Sequence, residues 1–133
     1  MKKTLFILIA MLFVSLSTMA QEPAAAATDS IVFNQLEIDY GTIEQGSDGE
    51  VEFKFTNKGQ APIVLSNVRA SCGCTTPSWP RNPILPGEEG IVKVKYNTNI
   101  VGSFNKSITV TSNAKNPNVT LRVKGTVAPP KTN

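Results

Sequence analysis

The chain contains no histidine. That removes the commonest metal ligand and the side chain best suited to acid–base work near neutral pH. Met1, Met11 and Met19 are the only methionines, so everything after them lacks a thioether for copper. Cysteine is nearly absent too, with Cys72 and Cys74 standing one residue apart. No phosphate-cradling glycine loop and no nucleophile–base motif is present, which counts against a nucleotide enzyme or a conventional hydrolase. Carboxylates or lysine alone can support catalysis, but the expectation from these absences is a protein that is not an enzyme and needs no cofactor or resident metal.

Long apolar runs are missing as well. The longest, Leu5 to Val14, is too short to span a bilayer. Lys2 and Lys3 precede it, and Thr18-Met19-Ala20 closes it with small residues at the positions a signal peptidase reads. Residues 1–20 therefore read as a secretory signal peptide, with Gln21 as the mature N-terminus. No cysteine follows the apolar run to carry a lipid anchor. The expected location is periplasmic or secreted, with no membrane span after cleavage.

Without Lys2 and Lys3, eleven basic residues face ten acidic ones, although the whole chain has a formal net charge of +3. The apparent basicity belongs largely to the leader, so nucleic-acid binding loses its main support. Residues 21–30 (QEPAAAATDS) read as a flexible linker. Residues 31–128 read as one domain of ordinary size, and 129–133 as a polar tail.

Within the domain the pattern has period two, not 3.6. Val51, Phe53 and Phe55 alternate with Glu50, Glu52 and Lys54. Val92, Val94 and Tyr96 alternate with Lys93 and Lys95, and Val119, Leu121 and Val123 with Thr120 and Arg122. Phe104, Ile108 and Val110 share a face, and Leu36, Ile38 and Tyr40 suggest an earlier strand. Ile63 to Val68 is more continuously apolar and is expected to be buried on both faces. Turns fall at 46–49, 57–59, 86–90 and 113–118, where glycine, proline and asparagine cluster. Residues 71–83 read as the longest stretch without strand. The fold class expected is all-β, an antiparallel immunoglobulin-like sandwich of about seven strands.

Several short motifs carry a family resemblance. They are Asn57-Lys58-Gly59, Ser71-Cys72-Gly73-Cys74-Thr75, Ile84-Leu85-Pro86-Gly87-Glu88, Tyr96-Asn97-Thr98, Gly102-Ser103-Phe104 and Gly125-Thr126-Val127. Together they resemble the bacterial family catalogued as domain of unknown function 1573, over residues 33–127. That family is similar to the ASH, major sperm protein and PapD-like immunoglobulin folds. The resemblance implies a sandwich that acts as a protein-interaction module, and it implies no reaction. The Ala20-Gln21 junction also resembles exported proteins of the Bacteroidetes. The expected partner is an unknown protein of the cell envelope.

Cys72 and Cys74 have several possible roles. Two extended residues span about 6.6–7 Å between Cα atoms. A disulfide prefers about 5.5–6 Å, so a slight bend, which Gly73 permits, would let the pair bond. Export favours oxidation, and the bond would act as a local clasp. A strained ring could instead serve thiol–disulfide exchange, with Lys58, Arg69 or Arg81 nearby to favour a thiolate. Two thiolates could also hold Cu(I), whereas zinc would need Glu88 or Glu89 as further ligands. Two inert, buried thiols are the remaining reading.

Trp79, between Pro77 and Pro80, reads either as an aromatic that caps the core or as an exposed anchor for a partner. Arg69 and Arg81 flank the same loop and are candidate partner contacts, though solvated charges are the plainer reading. Glu88 and Glu89 are adjacent and would point to opposite faces of a strand, which makes them poor partners for paired-carboxylate chemistry. Asn118-Val119-Thr120 is a glycosylation sequon by pattern only.

Overall fold

The computed structural model describes residues 30–132. The leader and all of the linker except Ser30 lie outside the described residues. The described residues form eight strands and no helix: β1 (Ile31–Phe33), β2 (Glu37–Glu44), β3 (Glu50–Asn57), β4 (Leu65–Ala70), β5 (Thr75–Ser78), β6 (Glu89–Tyr96), β7 (Gly102–Ser112) and β8 (Asn118–Ala128). They build two four-stranded sheets, ordered β1-β3-β6-β5 and β2-β8-β7-β4. This is the expected immunoglobulin-like sandwich.

One pair departs from antiparallel order: β2 runs parallel to β8. The cause is a crossing near the start of the domain. β1 pairs with β3 in one sheet, and within three residues the chain has reached β8 in the other. Asn34 N–H still donates to Lys54 O at 2.9 Å, while Leu36 O accepts from Arg122 N–H at 2.8 Å. A bulge between Asp39 and Thr42 then interrupts β2. Gly41 sits there with φ +65°, a conformation that other residues rarely adopt, and its N–H bonds to Asp39 Oδ1 at 2.8 Å.

The alternation read from the sequence becomes the core. Phe53, Phe55, Val92, Val94, Ile108, Leu121 and Val123 are all fully buried. Tyr96 of one sheet stacks on Phe104 of the other with centroids 3.7 Å apart, and Tyr40 meets Phe104 edge-on at 5.3 Å. Each fully buried large apolar side chain contributes about 1.5–3 kcal/mol, so this core outweighs anything a clasp across a three-residue loop can add.

Two local expectations need correction. Ile63–Val68 is not buried on both faces: Ile63, Leu65 and Val68 enter the core, whereas Val64, Ser66 and Asn67 are exposed. The stretch 71–83 is not free of strand either. β5 lies inside it and pairs antiparallel with β6 from Thr75↔Tyr96 to Ser78↔Lys93. Its four residues include Pro77, and prolines argue against a central strand but are tolerated at an edge.

Candidate functional site

The cysteine pair lies where the chain changes sheets. β4 ends at Ala70 beside β7, and β5 begins at Thr75 beside β6. Ser71 anchors the departure, its N–H donating to Ser107 O at 2.9 Å and its Oγ accepting from Ser107 N–H at 3.2 Å. Cys74 O anchors the arrival, accepting from Asn97 N–H at 2.8 Å. Between these anchors the Cα atoms of Cys72 and Cys74 are 5.3 Å apart and their sulfurs are in bonding contact. Thr75 Oγ1 lies 3.8 Å from each sulfur, and Thr75 is itself buried. Gly73 does not need a positive φ here, and a Cβ added to it would meet nothing within 4 Å. The bend comes from the two anchored ends, not from the glycine's freedom.

Of the cations weighed from the sequence, Lys58, Arg69 and Arg81, none lines the hollow beside Cys74; Lys95 does. That hollow, of about 250 Å³, includes Gly73, Cys74, Asn97 and Lys95. Arg69 lines a separate depression with Ser71 and Ser107, and Arg81 stacks on Trp79. Lys58 is tied to Ser30 next to β1 through its backbone N–H. Among the described residues no group of three or more His, Cys, Asp or Glu side chains gathers as a metal site. Glu88 is engaged with Leu85 N–H at 3.0 Å. The four-ligand zinc arrangement weighed from the sequence is therefore not assembled there, and any soft metal would rest on the two sulfurs alone.

A second feature follows directly along the chain. Beyond Ser78 the path leaves β6, and Trp79 packs partly against the core. The Arg81 guanidinium lies 4.0 Å from the centroid of the indole ring. Beside the ring runs an open groove of about 430 Å³, bounded by Trp79 and Pro80 on one side and by Glu89, Ile91 and Lys93 on the other, with Ile84 and Gly90 as floor. The indole Nε1 is buried and has no hydrogen-bond partner among the described residues. Leaving such a donor unpaired costs about 1–3 kcal/mol. Trp79 thus packs on the core, as the first of its two readings expects, and it also walls a groove.

Sequence reasoning missed Ile84, Ile91 and Lys95. Ile91 had a readable signal. It stands on the polar row of β6, between Glu89 and Lys93, where an apolar side chain faces outward. Lys95 could not be found without knowing that β5 pairs with β6.

The outer edges are blunted. β1 has three residues, and Asn116 closes on it by accepting from Ile31 N–H at 3.1 Å and donating to Ile31 O at 2.8 Å. β2 and β4 carry bulges. On β5 the residues facing away from β6 are Thr75, whose N–H bonds to Cys72 O at 3.4 Å, and Pro77, which has no N–H.

Comparison with solved structures gives the fold a wider setting. The chain is similar to a protein of unknown function from Porphyromonas gingivalis W83, at 21% identity and a TM-score of 0.67 over 80% of this chain and 51% of that one. It spans about half the length of that Porphyromonas protein. It is also similar to the ASH/PapD-like domain 7 of human CEP192, at 11% identity and a TM-score of 0.66 over 79% of this chain and 89% of that domain. A third likeness is to the CsuC–CsuE chaperone–adhesin pre-assembly complex of Acinetobacter baumannii, at 12% identity and a TM-score of 0.54 over 74% of this chain and 57% of the matched one. At these identities the likenesses show the fold alone. Among curated proteins none matches the chain. The family model described as protein of unknown function (DUF1573) matches residues 31–127, and the chain belongs to that family.

Proposed function

We propose that the chain is an exported protein-interaction module of the cell envelope, with no catalytic chemistry of its own. The observation that carries this reading is the open, mostly apolar groove walled by Trp79, whose ring also carries the Arg81 guanidinium at 4.0 Å. Tryptophan and arginine together are the residues most enriched at binding hot spots. The PapD-like fold supports the reading, and so does the CsuC–CsuE neighbour, described as a chaperone–adhesin pre-assembly complex. The basic start and apolar run at residues 2–14 support export.

Site-specific photocrosslinking in intact cells tests it. A photoreactive residue is placed in turn at Ser78 beside the groove, Asn67 on β4, Thr42 on β2 and Thr120 on β8. The expected result is a reproducible adduct with an envelope protein from at least one position, lost when the purified partner is competed with unmodified chain. No adduct from any position would overturn the interaction reading.

A second reading, a thiol redox protein acting through Cys72 and Cys74, is favoured by the contact between their sulfurs; Cu(I) binding by the same pair would require its reduced form. A reduction potential well below about −300 mV would make redox cycling untenable. Cu(I) uptake unchanged by Cys72→Ser would remove the copper role.

A further inference from the structure

The groove has a backbone side as well as an apolar one. β6 is paired along its length with β3, from Glu89↔Thr56 to Lys95↔Glu50. On its other side β5 covers only the half from Lys93 to Tyr96. The direction of each backbone group follows from the hydrogen bonds at the ends. Tyr96 N–H donates to Gly49 O at 3.0 Å and Asn57 N–H to Glu88 O at 3.0 Å, so even-numbered residues of β6 face β3. Asn97 N–H donates to Cys74 O at 2.8 Å, so odd-numbered residues face β5. The N–H and C=O of Ile91 and Glu89 therefore point to the side where the ladder has ended. Continuing the register past Ser78↔Lys93 would set Pro80 opposite Ile91, and proline has no N–H to offer.

We infer that this gap in the sheet is a docking slot for an extended peptide segment of a partner protein, one that carries an apolar side chain followed by a carboxylate. The inference rests on the interaction reading above and names the occupant of its groove. Three observations specify that occupant. An extended chain laid against β6 completes the ladder at Ile91, which is the general mode of strand addition to a sheet. Trp79, Pro80, Ile84 and Ile91 give the slot an apolar centre between Glu89 and Lys93, so the side chain entering that centre is apolar. The charge beside it is uncommitted: Arg81, outside the lining itself, holds its guanidinium 4.0 Å from the centroid of Trp79, which walls the slot, and has no carboxylate within ion-pair reach among the described residues, whereas Lys93 in the lining is already held by Glu50 at 3.6 Å and Glu52 at 3.9 Å. A guanidinium held over an aromatic ring can still take a carboxylate in bidentate fashion. Glu89, on the opposite wall, sets the polarity by disfavouring a second acidic residue at that end.

Trp79 supplies the reporter. It is the only tryptophan, so its indole N–H gives one resonance. That buried donor lacks an acceptor among the described residues, and its ring walls the slot, so its resonance reports a change at the groove. The experiment uses the full exported chain, labelled with ¹⁵N. It is titrated with an end-blocked peptide of alternating threonine and valine closed by aspartate, and separately with the same peptide closed by lysine. The expected result is saturable shifts confined to the Trp79 indole, Ile91 and Glu89, with the lysine peptide binding about tenfold more weakly. Arg81→Gln, an exposed substitution, should abolish the difference between the peptides while leaving the spectrum folded. Shifts centred on the β4 edge at Val68 and Ala70, equal affinity for both peptides, or changes that track protein concentration without peptide would each overturn the inference. Photocrosslinks from Asn67 or Thr42 but not Ser78 would overturn it too, while leaving the interaction module standing.

Discussion

Asn57 donates from Nδ2 to the carbonyl of Ile84 at 2.9 Å, tying the end of β3 to the floor of the Trp79 groove. The same amide donates to Ala61 O at 2.8 Å, and its Oδ1 accepts from Gly59 N–H at 2.8 Å. The side chain is fully buried. Asn57→Ala would strand the buried Gly59 N–H and remove the side-chain donors to Ala61 O and Ile84 O, the latter keeping only Ile63 N–H at 2.9 Å. The expected loss is about 2–4 kcal/mol, read as a lower urea midpoint with an unchanged slope. Asn57→Asp keeps the bond to Gly59 but removes both donors and buries a charge, so it should be at least as damaging. A loss under about 1 kcal/mol in both variants would mean that backbone bonds alone hold the junction.

The clasp at Cys72 and Cys74 should matter locally and little globally. A bond closing so short a loop removes little entropy from the unfolded chain, less than about 2 kcal/mol. Its expected effect is on order: reduction, or Cys72→Ser with Cys74→Ser, should speed amide exchange at Thr75 and Thr76 by at least about tenfold while the core strands keep their protection. Equal loss of protection in β3 and β7 would show that the bond holds the whole sandwich.

What was legible in the sequence was what alternation encodes. β3, β6 and β8 bury the residues whose spacing announced them, because half-buried strands must alternate. β5 was hidden by its length and by Pro77, which reads as loop in isolation and is acceptable only because its missing N–H faces outward. The parallel β2–β8 pair was hidden because it depends on where the chain crosses between sheets, and no local pattern records that. Trp79 and Arg81 were singled out, but their stacking and the slot beside them require knowing that β5 stops short of Ile91. Asn57 was read as a turn residue; its buried amide shows that the turn is also a junction.

Gly90 and Gly73 make an opposed pair. A Cβ added at Gly90 would run into the ring of Phe55, a fully buried residue that cannot swing away. Gly90→Ala should cost about 1–3 kcal/mol by overpacking and should distort the groove floor. Gly73→Ala meets open space at a backbone angle that alanine can adopt, so it should stay within about 0.5 kcal/mol of the parent. Thermal unfolding of the two variants side by side checks both. A Gly73→Ala variant as unstable as Gly90→Ala would contradict the finding that the cysteine corner bends without help from glycine.

Alkaline pH should expose the role of Tyr40. Its hydroxyl donates to Gly49 O, and its ring packs against Phe104. Burial pushes the phenol up to about 12, Asp48 and Glu50 act in the same direction, and a backbone contact at Tyr96 opposes them. In the unfolded chain the same group ionises near about 10. Between those values the folded state holds a proton that the unfolded state has lost, so stability must fall as pH rises. The contribution is fully present below about pH 10 and is lost through about pH 12, on the order of 2 kcal/mol for a partly buried group. Tyr40→Phe removes both the proton and the bond to Gly49. It should lower stability at neutral pH by about 1 kcal/mol and flatten the decline between about pH 10 and 12. Unfolding midpoints measured across that range decide the matter: an undiminished alkaline decline in Tyr40→Phe would place the responsible group elsewhere.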